Sequence, residues 1–200
     1  MSEDPLSIDL ISLGNSSVGK TSYLVRIAEN KFSPTFPTIG YDIKFQIIEL
    51  ENGKKVKVRF IDTSGQERYH SLAPNFIKKA DGIILMYDIT NRESFDTISK
   101  WWDDILNNKE KDFPVILVGN KCDLEDERKV QKEEGESIAK KYNFKFYETS
   151  NKDGTNIEES SRGLINIILS KTSSVNKLTY KKLNKDKMKR RKCFFNKIKC

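Results

Sequence analysis

The chain predicts an α/β fold built on a mostly parallel sheet. Three features carry that reading: short apolar runs recur, helical patterns separate them, and loops rich in phosphate- and metal-binding residue types follow the runs. At 200 residues it makes one domain of ordinary size, able to bury a core without disulfides or structural metals. Leu6–Leu13 reads as a strand that enters a glycine-rich loop, then a helix near Thr21–Asn30. Tyr41–Leu50 and Val56–Ile61 read as strands joined through Asn52-Gly53, a strong hairpin signal, which makes this pairing antiparallel. Gly82–Tyr87 (GIILMY) and Phe113–Val118 (FPVILV) are continuous apolar runs, as strands covered on both faces are. Lys145–Thr149 is a weaker sixth strand. Helices are expected over Arg92–Leu106, Gln131–Tyr142 and Asn156–Leu169. In this class ligands bind beyond the carboxyl ends of the strands.

Composition narrows the field. Hydrophobic residues make up 36% of the chain and charged residues 32%. No apolar run approaches the ~20 residues of a spanning helix. The N-terminal MSEDPLS has neither a basic nor an apolar signal region, so residence in the cytosol is expected. Cys122, Cys193 and Cys200 are spaced for neither a disulfide framework nor a zinc site, and Cys122 is expected to be a buried small residue. Residues 177–200 carry 11 Lys and Arg against one Asp, a net +10, which leaves −3 of the chain's +7 for residues 1–176. A uniformly basic domain would suggest nucleic acid, which is not expected here. A basic tail on an acidic body suggests anionic lipid or a nuclear address.

The loop after the first strand, Gly14-Asn-Ser-Ser-Val-Gly19-Lys20-Thr21, fits G-x-x-x-x-G-K-[ST] between a strand and a helix, the setting of a P-loop. Gly14 and Gly19 let the backbone wrap a phosphate without a Cβ in the way. Ser16, Ser17, Val18, Gly19, Lys20, Thr21 and Ser22 supply successive N–H groups at a helix N-terminus, a positive nest. Lys20 offers a point charge to the β- and γ-phosphates, and Thr21 a hydroxyl to Mg²⁺. The motif does not choose a base, since kinases, ATPases and GTPases all use it.

Asn120-Lys121-Cys122-Asp123 follows the run VILVG. This N-K-x-D pattern sets the Asp123 carboxylate where guanine presents N–H donors. Adenine would bury Asp123 against an acceptor, a mismatch worth discrimination of about 10⁴ or more. Lys121 would lay its stem along the base, and Asn120 would tie loops together. Backbone N–H groups of Ser150, Asn151 and Lys152 can reach the guanine O6. Asp62-Thr63-Ser64-Gly65-Gln66 follows the third strand: Asp62 can hold Mg²⁺ through water, Gly65 can present its N–H to the γ-phosphate, and Gln66 can orient the attacking water. Thr38 can complete the metal shell and meet the γ-phosphate. Two loops held by the third phosphate form a switch that hydrolysis releases. His70 is expected to face solvent or a partner.

With these motifs, the chain resembles the Rab branch of the Ras superfamily over about residues 6–172. The features are Thr38-Ile39-Gly40, Ser64 to Tyr69 (SGQERY), Tyr87-Asp88-Ile89-Thr90 and SFDTISKWWDDI. ERYHSLAP is similar to early-endosomal members. The resemblance implies a six-stranded P-loop G domain with helices on both faces, binding GTP or GDP with Mg²⁺ and hydrolysing GTP at an intrinsic rate on the order of 10⁻⁴ s⁻¹. It implies an exchange factor, a GTPase-activating protein, a dissociation inhibitor and effectors as partners, and work on the cytoplasmic face of an endosomal or vesicle membrane. Departures from the family pattern are a stretch between Phe32 and Thr38 one residue shorter than usual, a commonly aromatic triad that here reads Ile43, Ile61 and Phe76, Ser64 before Gly65, and Asn151 where alanine is typical.

The expected domain is 1–172, followed by a disordered basic tail over 173–200. The tail ends KRRKCFFNKIKC rather than in a C-a-a-X box. Geranylgeranylation of Cys200 is favoured, with Cys193 as a second lipid site and the basic run as the additional anchor. The other classes open at this point are a P-loop small-molecule kinase or ATPase and a nucleotide-locked scaffold with little turnover.

Overall fold

The structure, a computed structural model, describes residues 6–32, 38, 41–50, 53, 55–63 and 73–172. Gly65, Gln66, His70, Cys193 and Cys200 lie outside the described residues. The chain divides into two compact units, Met1–Ile165 and Asn166–Cys200. In the second unit, residues 166–172 are helical, with Ser170 Oγ donating to Ile167 O at 2.8 Å and Thr172 Oγ1 to Ile168 O at 3.0 Å.

In the first unit the strands are β1 (Leu6–Leu13), β2 (Tyr41–Glu49), β3 (Lys55–Thr63), β4 (Gly82–Asp88), β5 (Val115–Asn120) and β6 (Lys145–Thr149). They form one sheet in the order β2-β3-β1-β4-β5-β6. Only β2 with β3 is antiparallel; the other neighbours are parallel. The hairpin turns at Gly53, which takes φ 74° and donates its N–H to Leu50 O at 2.9 Å. Helices are α1 (Lys20–Glu29), α2 (Ala73–Lys79), α3 (Arg92–Asp96), α4 (Ile98–Leu106) and α5 (Lys132–Tyr142), and residues 157–165 are also helical.

Period-two alternation sorts the strand side chains to two faces. Phe146 pairs with Leu117 and meets α5 at Gly135, so Leu13, Ile83, Leu85, Tyr87 and Leu117 pack with α2 to α5 in one cluster. Tyr147 pairs with Val118 on the other face, where its hydroxyl reaches Gly163. There Tyr23 of α1 and Ser160 share a buried hydrogen bond of 2.6 Å. Strands β4 and β5 are buried throughout, which accounts for their unbroken apolar runs.

Three expectations need correction. The single helix over Arg92–Leu106 is two, α3 and α4, separated at Thr97 (φ −82°, ψ −5°). The Thr97 hydroxyl lies 3.1 Å from Ser94 O and 2.9 Å from Asn15 Oδ1, which draws the turn toward the glycine-rich loop. The fifth strand runs two residues further along than Phe113–Val118. Pro114 has no N–H for a ladder, while Gly119 and Asn120 pair with Tyr87–Asp88 and Glu148–Thr149. Cys122 is half-buried rather than buried, because it stands in the loop just past β5.

Candidate functional site

The site gathers beyond the carboxyl ends of β1, β3, β5 and β6, as the fold class demands. After β1 the chain turns sharply. Gly14 takes φ 141° and Gly19 φ 100°, and a Cβ on Gly14 would sit 2.2 Å from Met86 O. Ser16 and Ser17 are exposed, Val18 is buried and Ser22 half-buried. Lys20 is 5% exposed. Its ammonium donates to Gly14 O at 2.9 Å and Asn15 O at 2.7 Å. Burial lowers its pKa to about 8, partly offset by the Asp62 carboxylate.

The first helical turn brings Thr21 to the end of β3. Thr21 Oγ1 donates to Asp62 Oδ2 at 2.6 Å, Thr38 Oγ1 donates to the same oxygen at 3.0 Å, and the two hydroxyls are 2.9 Å apart. Ser12 Oγ lies 3.4 Å from the other carboxylate oxygen. Burial raises the Asp62 pKa against these donors and Lys20. Thr21, Thr38 and Asp62 are therefore brought together across the fold into a compact set of hard oxygen donors, which suits Mg²⁺. Among the described residues no group of three or more His, Cys, Asp or Glu gathers, so a cation here would rest on hydroxyls and one carboxylate.

On the opposite side the last residue of β5 makes the tie the sequence predicted. Asn120 Nδ2 donates to Val18 O at 2.8 Å, and Thr149 Oγ1 donates to Asn120 Oδ1 at 3.2 Å. Lys121 takes φ 69°, and its ammonium pairs with Asp88 Oδ2 at 2.5 Å. Asp123 Oδ1 accepts from Ser150 Oγ at 2.7 Å. Asn151 Nδ2 donates to Gly19 O at 2.9 Å. Lys152 is exposed, and its carbonyl accepts from the Arg26 guanidinium at 2.5 Å.

Sequence reasoning missed the supporting groups. Asp88, in the stretch Tyr87 to Thr90, pairs with Lys121, a partnership that no local pattern gives away. Arg128 holds the loop after β5 to β6 by two hydrogen bonds to Glu148, at 2.6 and 3.0 Å, and also pairs with Glu125. Its spacing from Glu125 was a legible signal; its distance from Glu148 in sequence was not. Asn15 Oδ1 receives both the Thr97 hydroxyl and the Trp101 indole N–H, at 2.9 and 3.0 Å, which no local pattern announces.

Comparison with known proteins agrees with this geometry. The Ras family model matches residues 9–170. The chain belongs to the Ras family. It is 45% identical over 168 residues to Ras-related protein Rab-10 of Diplobatis ommata, covering 84% of each chain. It is 44% identical over 165 residues to Ras-related protein Rab-3A of Homo sapiens, covering 82% of this chain and 74% of the relative. Ras-related protein Rab-3C of Bos taurus is also 44% identical, with 82% of this chain and 72% of the relative covered. The chain is thus a Rab-type small GTPase, a GTP-binding switch of vesicle trafficking that hydrolyses GTP. The small-molecule kinase and ATPase readings fall away. No helix among the described residues of this Rab is long and apolar enough to cross a membrane.

Proposed function

We propose that this Rab binds guanine nucleotide between two halves of one site and switches through the γ-phosphate. The observation that supports it is the meeting of Thr21, Thr38 and Asp62 on one oxygen, beside Lys20, with the Asn120–Asp123 loop fastened to the same glycine-rich loop. Backbone N–H groups of Ser16 to Ser22 and the Lys20 ammonium hold the phosphates. Asp123 accepts from the guanine N–H groups, Lys121 covers the base, and N–H groups of Ser150, Asn151 and Lys152 meet O6. Thr21, Thr38 and Asp62 would hold Mg²⁺, which would neutralise phosphate charge.

Hydrolysis needs little covalent help from the protein. Gln66 orients a water whose oxygen bonds to the γ-phosphorus while the bridging bond to the β-phosphate breaks, giving GDP and phosphate. Gly65 and Thr38 meet the γ-phosphate, and its loss frees both loops. An exchange factor, a GTPase-activating protein, a dissociation inhibitor and effectors act on the two states. The basic tail, lipidated at Cys200 with Cys193 as a second site, anchors the Rab to the cytoplasmic face of an endosomal or vesicle membrane. Residues 1–172 form the G domain and 173–200 the tail.

The test is competition of GTP, GDP and ATP for the purified full chain, with single-turnover hydrolysis beside it. Preference for guanine nucleotides by about 10⁴ or more is expected, as is a slower single turnover in Gln66→Leu. Equal binding of ATP overturns the base assignment, and equal rates remove Gln66 from its role. Cys200→Ser is expected to abolish membrane association in cell fractions; retention removes that residue as the anchor.

A further inference from the structure

Two carboxamides hold two consecutive carbonyls of the glycine-rich loop. Asn120 Nδ2 donates to Val18 O at 2.8 Å, and Asn151 Nδ2 donates to Gly19 O at 2.9 Å. The Gly19 carbonyl also accepts the first helical bond of α1, from Tyr23 N at 2.8 Å, so it receives two donors. The fit is close on every side. A Cβ on Gly19 would lie 2.2 Å from Asn120 Nδ2 and 2.7 Å from Asn151 Nδ2. Asn151 is 5% exposed, and its Oδ1 is buried without a hydrogen-bond partner. The orientation of the amide follows, because only the NH₂ end can face a carbonyl. The side chain is therefore seated by its donor end alone.

We infer that Asn151 is a positioning residue that locks the base-reading loop to the phosphate loop and so slows nucleotide release. The inference rests on the proposed reading of these loops as the guanine and phosphate halves of one site. Asn120 joins β5 to the glycine-rich loop. Asn151 adds a second fastening from the loop after β6, 132 residues away in sequence. With both in place, the loops that grip the two ends of a nucleotide move as one body, and neither end opens independently. Without Asn151 the loop after β6 opens while the phosphates stay held, which gives release a stepwise route.

Removing a single neutral hydrogen bond of this kind costs about 1 kcal/mol, so Asn151→Ala is expected to raise the GDP dissociation rate of the full chain about fivefold, since 1.4 kcal/mol is tenfold. Asn151→Asp keeps the shape but sets an acceptor against the Gly19 carbonyl, and is expected to release GDP at least as fast as the alanine variant. Guanosine engages only the base half and pyrophosphate only the phosphate half. In both variants GDP and guanosine lose affinity and pyrophosphate loses less than either, a split that a general loss of stability would not produce. Wild-type release from either variant, or an equal loss for pyrophosphate and GDP, overturns the inference. Failure of the unaltered chain to bind guanine nucleotide at all sinks the underlying site reading, and the inference with it.

Discussion

The two halves of the site are built on different physics. At the phosphate end, Lys20 and Asp62 are buried charges that burial pushes toward their neutral forms, held by carbonyls and hydroxyls. At the base end, neutral carboxamides sit on backbone carbonyls, and Arg128 is closed between two carboxylates. The phosphate end carries a desolvation cost that a bound anion and cation would relieve. The base end, apart from the buried Asn151 Oδ1, is satisfied by its own partners. Ligand affinity should therefore concentrate at the first, and stability of the empty protein at the second.

The largest effect expected to test that contrast is at Lys20. Lys20→Met keeps much of the volume and removes the charge. Affinity for GTP should fall about 10²–10³-fold, from the loss of charge-assisted hydrogen bonds to phosphate. The melting temperature of the nucleotide-free protein should rise, because a buried charge is gone. Titration calorimetry and thermal melts check both, and a matching loss of stability would erase the distinction between the halves.

Arg128→Ala comes next and probes the other end. The side chains of Arg128 and Glu148 are 9% and 13% exposed, so the change strands a largely buried carboxylate. The expected cost is about 3 kcal/mol, or roughly 6–12 °C in melting temperature for a domain of this size. Glu125, whose side chain is 68% exposed, serves as the control. Glu125→Gln should leave the melting temperature nearly unchanged, because an exposed ion pair contributes little, and equal effects would mean that burial is not what makes the pair matter.

The smallest effect concerns Cys122, beside the base loop. Burial raises its thiol pKa to about 11. A raised pKa leaves less thiolate at any pH below it, so alkylation by iodoacetamide at pH 8 should be far slower than for a free cysteine and should climb as pH approaches that value. Peptide mapping separates Cys122 from the tail cysteines, and rapid labelling at pH 8 would show that this loop opens readily.

Much of this was legible from residues close together in the chain. The six strands, the hairpin at Gly53 and the loop from Gly14 to Thr21 each depend on one stretch of backbone, where periodicity and glycine φ preferences speak directly. The Arg92–Leu106 helix misled because its apolar spacing is continuous; at the break the Thr97 hydroxyl is bonded to Asn15, 82 residues away, a contact outside any local window. Cys122 misled for a related reason, since its apolar neighbours end with β5 and leave it at the rim of the core.

Residue types and local spacing determined the α/β class, the glycine-rich phosphate loop and the candidates for base and metal binding, because each is written within a few consecutive positions. Only the tertiary structure decided that Thr38 meets Thr21 at one oxygen of Asp62, that Asn120 and Asn151 take neighbouring carbonyls, and that Arg128 closes on Glu148. Those pairings depend on strand order and on where each strand ends. They are set by how the whole sheet buries its two faces, a global balance that no short window of sequence contains.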